Sequence, residues 1–434
     1  MTRLTPADAV ARAARYDHVV LTHVDADGYP LAVAADFETG GDGEVITSPL
    51  PDAARPPAGR TVGLVWSHIR PQPGVGYDER RYVNAWGDAQ LEVSRVRVAV
   101  SQAVGWDEQE TPFFEYAERS VPAAHDYFDA VGARPRLSRF WTVFRAARLP
   151  FLTATVVPIA LGGAVAGAHG RFSWLWFGLA MVAGIAVHLG LNIANDVFDD
   201  ASGADAANVT PTPFSGGSRM IQYGLVSRRT MARAAIACYA VATILGVVIA
   251  AERGWWLLAI GAVGLVVSAA YTAPPLRLAH HGLGELAVML GFGPVMVVGT
   301  YYACAQRWSW EALFVSVPVA CLIGLVLYEN EIPDRTSDAH ANKRTLPVRW
   351  SPAAVVRVYA VTATLTFVAV VAGVAVGMFP IAALLALATI PMAVRVYRGL
   401  AAHYDSPYEL MQAMQTGIAL HLLTGLALVI AYLL

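Results

Sequence analysis

The sequence predicts an all-α, polytopic membrane domain preceded by a small soluble α+β domain. Composition changes near residue 140: residues 1–140 hold 20 Asp and Glu against 14 Lys and Arg, whereas residues 141–434 hold only 13 against 17. The second part also contains successive apolar runs long enough to span a bilayer. We therefore expect a soluble domain at 1–132, a basic connector at 133–148 and a membrane domain at 149–434.

Nine apolar segments of about 20 residues follow one another in the membrane part, which is the length that a helix needs to cross hydrocarbon. Pro and Gly interrupt several of them, and membrane helices tolerate this when neighbours satisfy the freed backbone groups. The alternative, a very apolar soluble helical protein, is disfavoured by nine such runs in succession. The predicted spans are 149–168, 174–195, 230–251, 255–273, 284–304, 311–330, 353–377, 380–399 and 410–434.

The soluble part begins with a predicted β-hairpin. Two apolar runs, 19–24 and 31–37, are joined by Asp25-Ala26-Asp27-Gly28-Tyr29-Pro30, and an Asp-x-Asp-Gly link is typical of a turn. A calcium loop is the alternative, but no downstream glutamate completes it. Further predicted elements are strands at 44–47, 61–67, 82–85 and 90–93, and a helix at about 109–130.

An acidic cluster closes the second apolar run. Asn192, Asn195, Asp196 and Asp199 are spaced i, i+3, i+4 and i+7, which places them on one helical face. Asp205 follows a Ser-Gly turn that could return it to the same place. Carboxylate and amide oxygens are hard ligands that suit Mg²⁺. The alternative is an acidic loop that only anchors the helix end at the membrane surface.

A second acidic cluster closes another apolar run. It contains Glu329, Glu331, Asp334 and Asp338. With Asp200 counted in the first cluster, 8 of the 13 acidic residues after residue 140 lie in the two clusters. Lys343, the only lysine of the chain, follows it among 30 arginines, and a role for a compact ammonium is plausible. Two carboxylate clusters at one membrane face suggest divalent cations and a polyanionic ligand.

Loop charges predict the orientation of the membrane part. If the segment before the first helix is cytoplasmic, 14 Lys and Arg fall in cytoplasmic loops and 3 in the opposite loops. Both acidic clusters and the soluble part then face the cytoplasm, and the C-terminus lies on the other side. The first residues have no apolar core of signal-peptide length. We expect a multi-pass protein of the inner (plasma) membrane.

The acidic motifs resemble those of a known family. Asn195-Asp196-x-x-Asp199 with Ser202-Gly203-x-Asp205, and Asp334-x-x-x-Asp338 leading to Lys343-Arg344-Thr345-Leu346, resemble the UbiA superfamily of intramembrane prenyltransferases. The resemblance covers about 141–434 and is closest to the menaquinone-branch dihydroxynaphthoate prenyltransferases. One departure bears on the acceptor: those enzymes tend to read Asn-Asn-x-Arg-Asp, where this chain has Asn330-Glu331-Ile332-Pro333-Asp334.

The resemblance implies Mg²⁺-dependent transfer of a prenyl group from a polyprenyl diphosphate to an aromatic acceptor in quinone or related meroterpenoid biosynthesis. It assigns catalysis to Asp196, Asp199, Asp334, Asp338, Lys343 and Tyr271. It assigns metal binding to Asp196, Asp199, Asp334, Asp338, Asn192 and Asp205. It assigns diphosphate binding to Asn192, Asn195, Arg219, Arg277, Lys343 and Arg344.

Two other functions remain open from the sequence. The same fold could cyclise a terpene, with the carbocation captured within its own chain. A polytopic transporter could use the acidic clusters to bind a coupling ion, although transporters more often place such charges near the bilayer midplane. We expect lipid as a partner and no nucleic acid.

The order of elements in residues 1–132 resembles the split barrel of pyridoxamine-phosphate-oxidase-like flavoproteins. Members of that group often bind FMN, while others bind a different cofactor or none. The resemblance implies FMN as a possible cofactor and, because such barrels form their site between two subunits, a homodimer through this domain.

Overall fold

The computed structural model describes residues 2–25, 27–72, 76–111, 113, 116, 120, 145, 148–208 and 210–434. The chain forms two compact units, Met1–Tyr127 and Phe128–Leu434. Most of the predicted helix at 109–130, and of the predicted connector at 133–148, lies outside the described residues.

The first unit is an antiparallel sheet with one helix. The sheet order is β3-β2-β6-β7-β8-β5-β4, with β1 paired to β8. Thr5 caps the N-terminus of helix α1 (Pro6–Ala13), because its Oγ1 accepts a hydrogen bond from the Asp8 backbone N at 3.1 Å. The strands are β1 (Thr2–Leu4), β2 (Val19–Val24), β3 (Pro30–Ala35), β4 (Phe37–Thr39), β5 (Glu44–Thr47), β6 (Thr61–Gln72), β7 (Gly76–Glu92) and β8 (Arg95–Asp107).

The predicted hairpin is confirmed: β2 and β3 pair from Val19 opposite Ala35 to Val24 opposite Pro30. Asp25 holds the turn, because its Oδ1 accepts hydrogen bonds from the backbone N of Asp27 and Tyr29 at 3.0 and 2.8 Å. The two predicted strands at 82–85 and 90–93 belong to one long strand, β7, and the sequence interpretation missed β8 altogether. The alternating valines of β8 are the signal that would have revealed it.

The second unit is helical. A 3₁₀ turn precedes α2, a π-helical turn containing Pro294 joins α7 to α8, and a 3₁₀ segment, Ile381–Thr389, precedes α12. The helices are α2 (Thr153–Ala168), α3 (Trp174–Ser202), α4 (Ala204–Ala207), α5 (Arg228–Arg253), α6 (Trp256–Thr272), α7 (Gly284–Leu290), α8 (Met296–Ala305), α9 (Trp310–His340), α10 (Leu346–Arg349), α11 (Pro352–Ala375), α12 (Ile390–His403) and α13 (Leu410–Leu433).

Eight helical segments in the described part of the chain are long and apolar enough to cross a membrane, so nine full spans are not confirmed. The segment that falls short is α6, which is apolar but has 17 residues. The sequence predicts this span at 255–273, and the observed helix ends at Thr272. It ends there because the Pro274-Pro275 pair follows, and a residue before proline disfavours helical geometry.

Small residues allow the helices around the site to approach closely. A Cβ added at Gly162 of α2 would lie 2.4 Å from the Val297 carbonyl oxygen of α8. A Cβ at Gly425 of α13 would lie 2.1 Å from Val157 Cγ1. Helix pairs in membranes associate through such contacts between small residues. The long helices α3 and α9 run through this packed region, and each ends in one of the acidic clusters.

Candidate active site

A cavity of about 140 Å³ lies between the ends of α3 and α9. Both acidic clusters contribute to its wall, although they are more than 120 residues apart in sequence. The polar residues that line it are Arg148, His188, Asn192, Asn195, Asp199, Asp205, Asn208, Asn330, Glu331, Asp334, Ser337, Asp338 and Lys343.

Lys343 joins the two clusters. Its Nζ lies 3.5 Å from Asp199 Oδ2 and 3.4 Å from Asp338 Oδ1. The loop after α9 places it there, because the Lys343 backbone N donates to the Asp338 carbonyl at 2.8 Å. Burial alone lowers the pKa of Lys343, but the carboxylates of Asp199 and Asp338 raise that pKa well above the usual lysine value. The sole lysine is therefore a largely buried, positively charged group at the centre of the site, with 12% of its side chain exposed.

The Gly216-Gly217 loop closes one side of the cavity. Asp334 fixes it, since Oδ2 accepts from the Gly216 backbone N and Oδ1 accepts from Asn208 Nδ2, both at 2.9 Å. Gly217 has a φ of +72°, and a Cβ there would lie 2.9 Å from Asp205 Oδ2. Glycine is required at this point both for the backbone conformation and for the close approach of the carboxylate.

Asp196 takes a different position from its neighbours on α3. It does not line the cavity but lies under the glycine loop, where its carboxylate accepts hydrogen bonds from the backbone N of Ser218, at 3.2 Å, and from the Ser218 hydroxyl. Asn192, Asn195 and Asp199 do line the cavity. The predicted helical face therefore divides into three residues toward the cavity and one toward the loop.

Asp205 reaches the cavity from α4, as the turn after α3 suggested. It is 4% exposed, and its Oδ2 accepts from Gln222 Nε2 at 3.2 Å. Burial, and then the neighbouring carboxylates of Asp199 and Asp196, raise the pKa of Asp205 to about 8. A buried acid crowded by other acids is a place where a cation would be favourable.

The predicted arginines lie elsewhere. Arg219, Arg277 and Arg344 are not among the residues that line the cavity in the described part of the chain. Arg219 holds the loop instead, because its guanidinium donates to the backbone carbonyls of Asp205 and Asn208. Their assignment to the diphosphate remains a prediction. Arg148, assigned to the connector from sequence, lines the cavity and donates to the Phe214 carbonyl at 3.0 Å.

Glu329 also departs from its cluster. It is buried and lies against α13, where a Cβ at Gly417 would come 2.1 Å from Glu329 Oε2. In contrast to the adjacent Asn330 and Glu331, it does not line the cavity within the described residues. The acidic cluster at the end of α9 thus has members on two faces.

A larger, apolar cavity of about 410 Å³ adjoins the polar one. It lies among α3, α5, α6 and the α7–α8 segment. Tyr271, a predicted catalytic residue, lines both cavities together with Leu191, Val288 and Phe292. A charged head group in the polar cavity could thus continue directly into an apolar tail.

The residues of the polar cavity fit Mg²⁺. Asp199 Oδ1 and Asp338 Oδ2 are buried and have no hydrogen-bond partner among the residues that the structure describes. No group of three or more His, Cys, Asp or Glu side chains in the described ranges is placed to hold a metal ion by itself. Mg²⁺ is usually bound by one or two carboxylates together with substrate phosphates and water, so a complete protein cage is not required.

Comparison with known proteins identifies the family. The profile of the UbiA prenyltransferase family matches residues 155–430. The chain is 27% identical over 306 residues to a 2-carboxy-1,4-naphthoquinone phytyltransferase from Synechocystis, covering 70% of this chain and 96% of that one. It is 35% identical over 246 residues to a 1,4-dihydroxy-2-naphthoate octaprenyltransferase from Mycobacterium tuberculosis, covering 56% and 77%.

The solved structure of a UbiA homolog from Archaeoglobus fulgidus, bound to GPP and Mg²⁺, is 15% identical with a TM-score of 0.44, covering 66% of this chain and 98% of that one. A likeness at this level carries no argument about the present site. The family match and the named relatives show that this chain belongs to the UbiA prenyltransferase family and is a multi-pass membrane prenyltransferase.

Proposed function

We propose that this protein transfers a prenyl group from a polyprenyl diphosphate to a naphthoate-type aromatic acceptor in quinone biosynthesis. The observation that carries the proposal is the meeting of Asp199, Asp338 and Lys343 in a polar cavity that adjoins an apolar one. The acceptor class rests on the two naphthoate prenyltransferases that the chain resembles.

The polar cavity would hold the diphosphate. Lys343 and Arg148 both line this cavity and would supply positive charge to the diphosphate. The free oxygens of Asp199 and Asp338 would hold Mg²⁺. Four other residues with oxygen ligands line the same cavity: Asn192, Asn195, Asp205 and Asp334. Bound Mg²⁺ would neutralise charge on the diphosphate and make it a better leaving group. Because these groups are fixed before the reaction, they stabilise charge on the leaving group at little cost in reorganisation.

The apolar cavity would hold the prenyl tail. Its wall is built from aliphatic residues, with Tyr271 and Phe292 where it meets the polar cavity. The allylic carbon would lie at this junction, and an aromatic ring face stabilises positive charge there. Burial of the carbocation away from water also protects it from hydrolysis.

A reconstitution experiment tests this proposal. The purified protein in lipid vesicles, given geranyl diphosphate, Mg²⁺ and 1,4-dihydroxy-2-naphthoate, should form a prenylated naphthalene detectable by mass spectrometry. EDTA should abolish the product. A cyclised terpene formed equally well without the acceptor would instead favour the terpene cyclase alternative, and the absence of diphosphate consumption would contradict the proposal.

Orientation and the N-terminal unit are part of the same proposal. We infer from the loop charges that α6 is a ninth, short span, and that the cavity and the N-terminal unit face the cytoplasm at the plasma membrane. For the N-terminal unit we retain FMN binding and homodimerisation as hypotheses based on its resemblance to split barrels, because the family match lies within 155–430. A flavin absorption spectrum of the purified full chain, before and after addition of FMN, tests the first hypothesis.

A further inference from the structure

A second set of buried polar atoms lines the polar cavity, further toward the interior of the membrane span than the carboxylates of Asp199 and Asp338. They are Nε2 of His188 on α3 and, on α9, Oδ1 of Asn330 and Oε2 of Glu331. These residues are only 2%, 8% and 5% exposed, and none of the three atoms has a hydrogen-bond partner among the described residues. Buried polar atoms are normally paired, so three unpaired ones around one cavity indicate a ligand.

The position of Glu331 along α9 shows how deep this second set of atoms lies in the membrane span. Glu331, Asp334 and Asp338 are spaced i, i+3 and i+7 on one face of α9. At a rise of 1.5 Å per residue, Glu331 lies about 10 Å further along the helix than Asp338, toward the interior of the span. The next lining residue on this face is Leu327. Glu331 is therefore the last charged group before the wall becomes apolar.

This depth coincides with the junction of the two cavities. The ring centroids of His188 and Phe292 are 5.7 Å apart, and Phe292 and Tyr271 line both cavities. His188 is held by Thr155, whose Oγ1 lies 3.0 Å from His188 Nδ1, which leaves Nε2 toward the cavity. Aromatic walls with a few polar atoms suit a flat hydroxylated ring.

A second carboxyl stands behind Glu331. Glu285 of α7 is 7% exposed, and its carboxyl lies within hydrogen-bonding reach of the Glu331 carboxyl and interacts with it electrostatically. Tyr271, Tyr328, Lys343 and Asp338 are the other ionisable groups around the pair. Two neighbouring carboxyls avoid being ionised together, so the protonation of Glu331 depends on that of Glu285.

We propose that His188, Asn330 and Glu331 bind the hydroxyl groups of the aromatic acceptor, and that Glu331 takes the hydroxyl proton as the new bond forms. This inference rests on the proposed function and adds the acceptor site to it. Glu331 would touch the acceptor directly, whereas Glu285 acts through Glu331 as a positioning residue.

The proposed step moves one proton to Glu331 while one C–C bond forms and one C–O bond breaks. The acceptor O–H bond breaks, its proton moves to Glu331 Oε2, and the ring carbon forms a C–C bond to the allylic carbon. The allylic C–O bond breaks and its electron pair leaves with the diphosphate. The ring regains aromaticity when the departed diphosphate takes the proton from that carbon, or when CO₂ leaves from a carboxylate there, and Glu331 returns its proton to the ring oxygen.

Glu331→Gln tests the proposal. General-base catalysis contributes about 10²- to 10⁴-fold, so we expect kcat for prenylation of 1,4-dihydroxy-2-naphthoate to fall by about 100-fold or more. The Kd for geranyl diphosphate with Mg²⁺, measured by calorimetry in the absence of acceptor, should change by less than about threefold. Glu331→Asp should show intermediate activity, because it retains a carboxyl that reaches less far; it also serves if the Gln variant does not fold.

Glu329→Gln is the matched control, because it makes the same change two residues away on a face that does not line the cavity. It should leave the acceptor KM and kcat within about threefold of wild type. For Glu285→Gln we expect a lower kcat on the acceptor with an unchanged diphosphate Kd, a split that a merely structural role would not produce.

Two outcomes would overturn the inference. One is full turnover and an unchanged acceptor KM in Glu331→Gln; the other is a parallel loss of diphosphate binding, which would place Glu331 in the diphosphate site. Failure of the underlying function is distinguishable, because wild-type protein would then show no Mg²⁺-dependent binding of geranyl diphosphate at all.

Discussion

The two ends of the membrane unit differ in how their polar side chains are partnered. At the end away from the cavity, both ring nitrogens of His169 are bonded, to the Tyr301 hydroxyl and to Glu311 Oε2, each at 2.8 Å. Arg307 Nε donates to the same Tyr301 hydroxyl at 3.1 Å. At the acidic end, Asp199 and Asp338 each have one buried oxygen without a partner in the described part of the chain.

This difference separates groups that hold the helices together from groups kept for a ligand. A buried polar atom without a partner costs stability, and it is retained where a ligand supplies the missing bond. The His169 network joins α2, α8 and α9 and needs no ligand. The end away from the cavity also carries exposed tryptophans, which suit the lipid–water interface. They are Trp174, Trp255, Trp256, Trp308 and Trp310, between 55% and 79% exposed.

Matched amide substitutions at the two ends should have the largest difference in effect. We expect Asp338→Asn to lower prenyl transfer by about 100-fold or more, or about 2.7 kcal/mol, because it removes a negative charge beside Lys343 and a proposed metal ligand. Glu311→Gln should keep turnover within about threefold. Initial rates in vesicles measure both, and equal losses would remove the distinction between the ends.

The centre of the acidic end can be probed without changing its charge. Lys343→Arg should lower turnover by roughly tenfold, since a planar guanidinium does not fit the position that an ammonium occupies between two carboxylates 3.4–3.5 Å away. Lys343→Met should lower it further. Full activity with arginine would show that only the charge matters there. The rates are best compared at saturating acceptor, so that diphosphate binding is the variable.

The smallest expected effect comes from a pair of glycines with similar backbones. Gly217 (φ +72°) lies against Asp205 at the acidic end, and Gly170 (φ +65°), near the other end, has nothing within 4 Å of an added Cβ. Alanine at either position should cost about 1 kcal/mol of stability. Only Gly217→Ala should also lower turnover, by about threefold to fivefold. Thermal unfolding and initial rates together decide this, and identical behaviour of the two variants would contradict the tight contact at Gly217.

Much of the site could be predicted because charged residues in apolar segments are a local signal. Asp199, Asp338 and Lys343 follow from helix spacing and from the position of the apolar runs. His188, a lone titratable residue inside an apolar run, carries the same local signal. The strand β8 likewise alternates clearly in the sequence. Both features are readable from the sequence, although neither was predicted.

Other features depend on contacts that no local pattern encodes. Arg148 reaches the cavity through a left-handed backbone (φ 48°) and a hydrogen bond to Phe214, which is 66 residues away. Asp196 has the right helical spacing for the cavity, yet the loop containing Ser218 covers it. The approach of Glu285 to Glu331 likewise joins two separate helices. Only the packing of the whole unit determines these positions.

The single lysine has a practical consequence. Because all other basic side chains are His or Arg, Lys343 supplies the only side-chain amine in the chain. The neighbouring carboxylates keep this amine protonated, so an amine-reactive reagent small enough to enter the cavity would modify this one side chain slowly at neutral pH and faster as the pH rises. The extent of that modification would report occupancy directly, and a diphosphate seated between the two clusters would protect the amine.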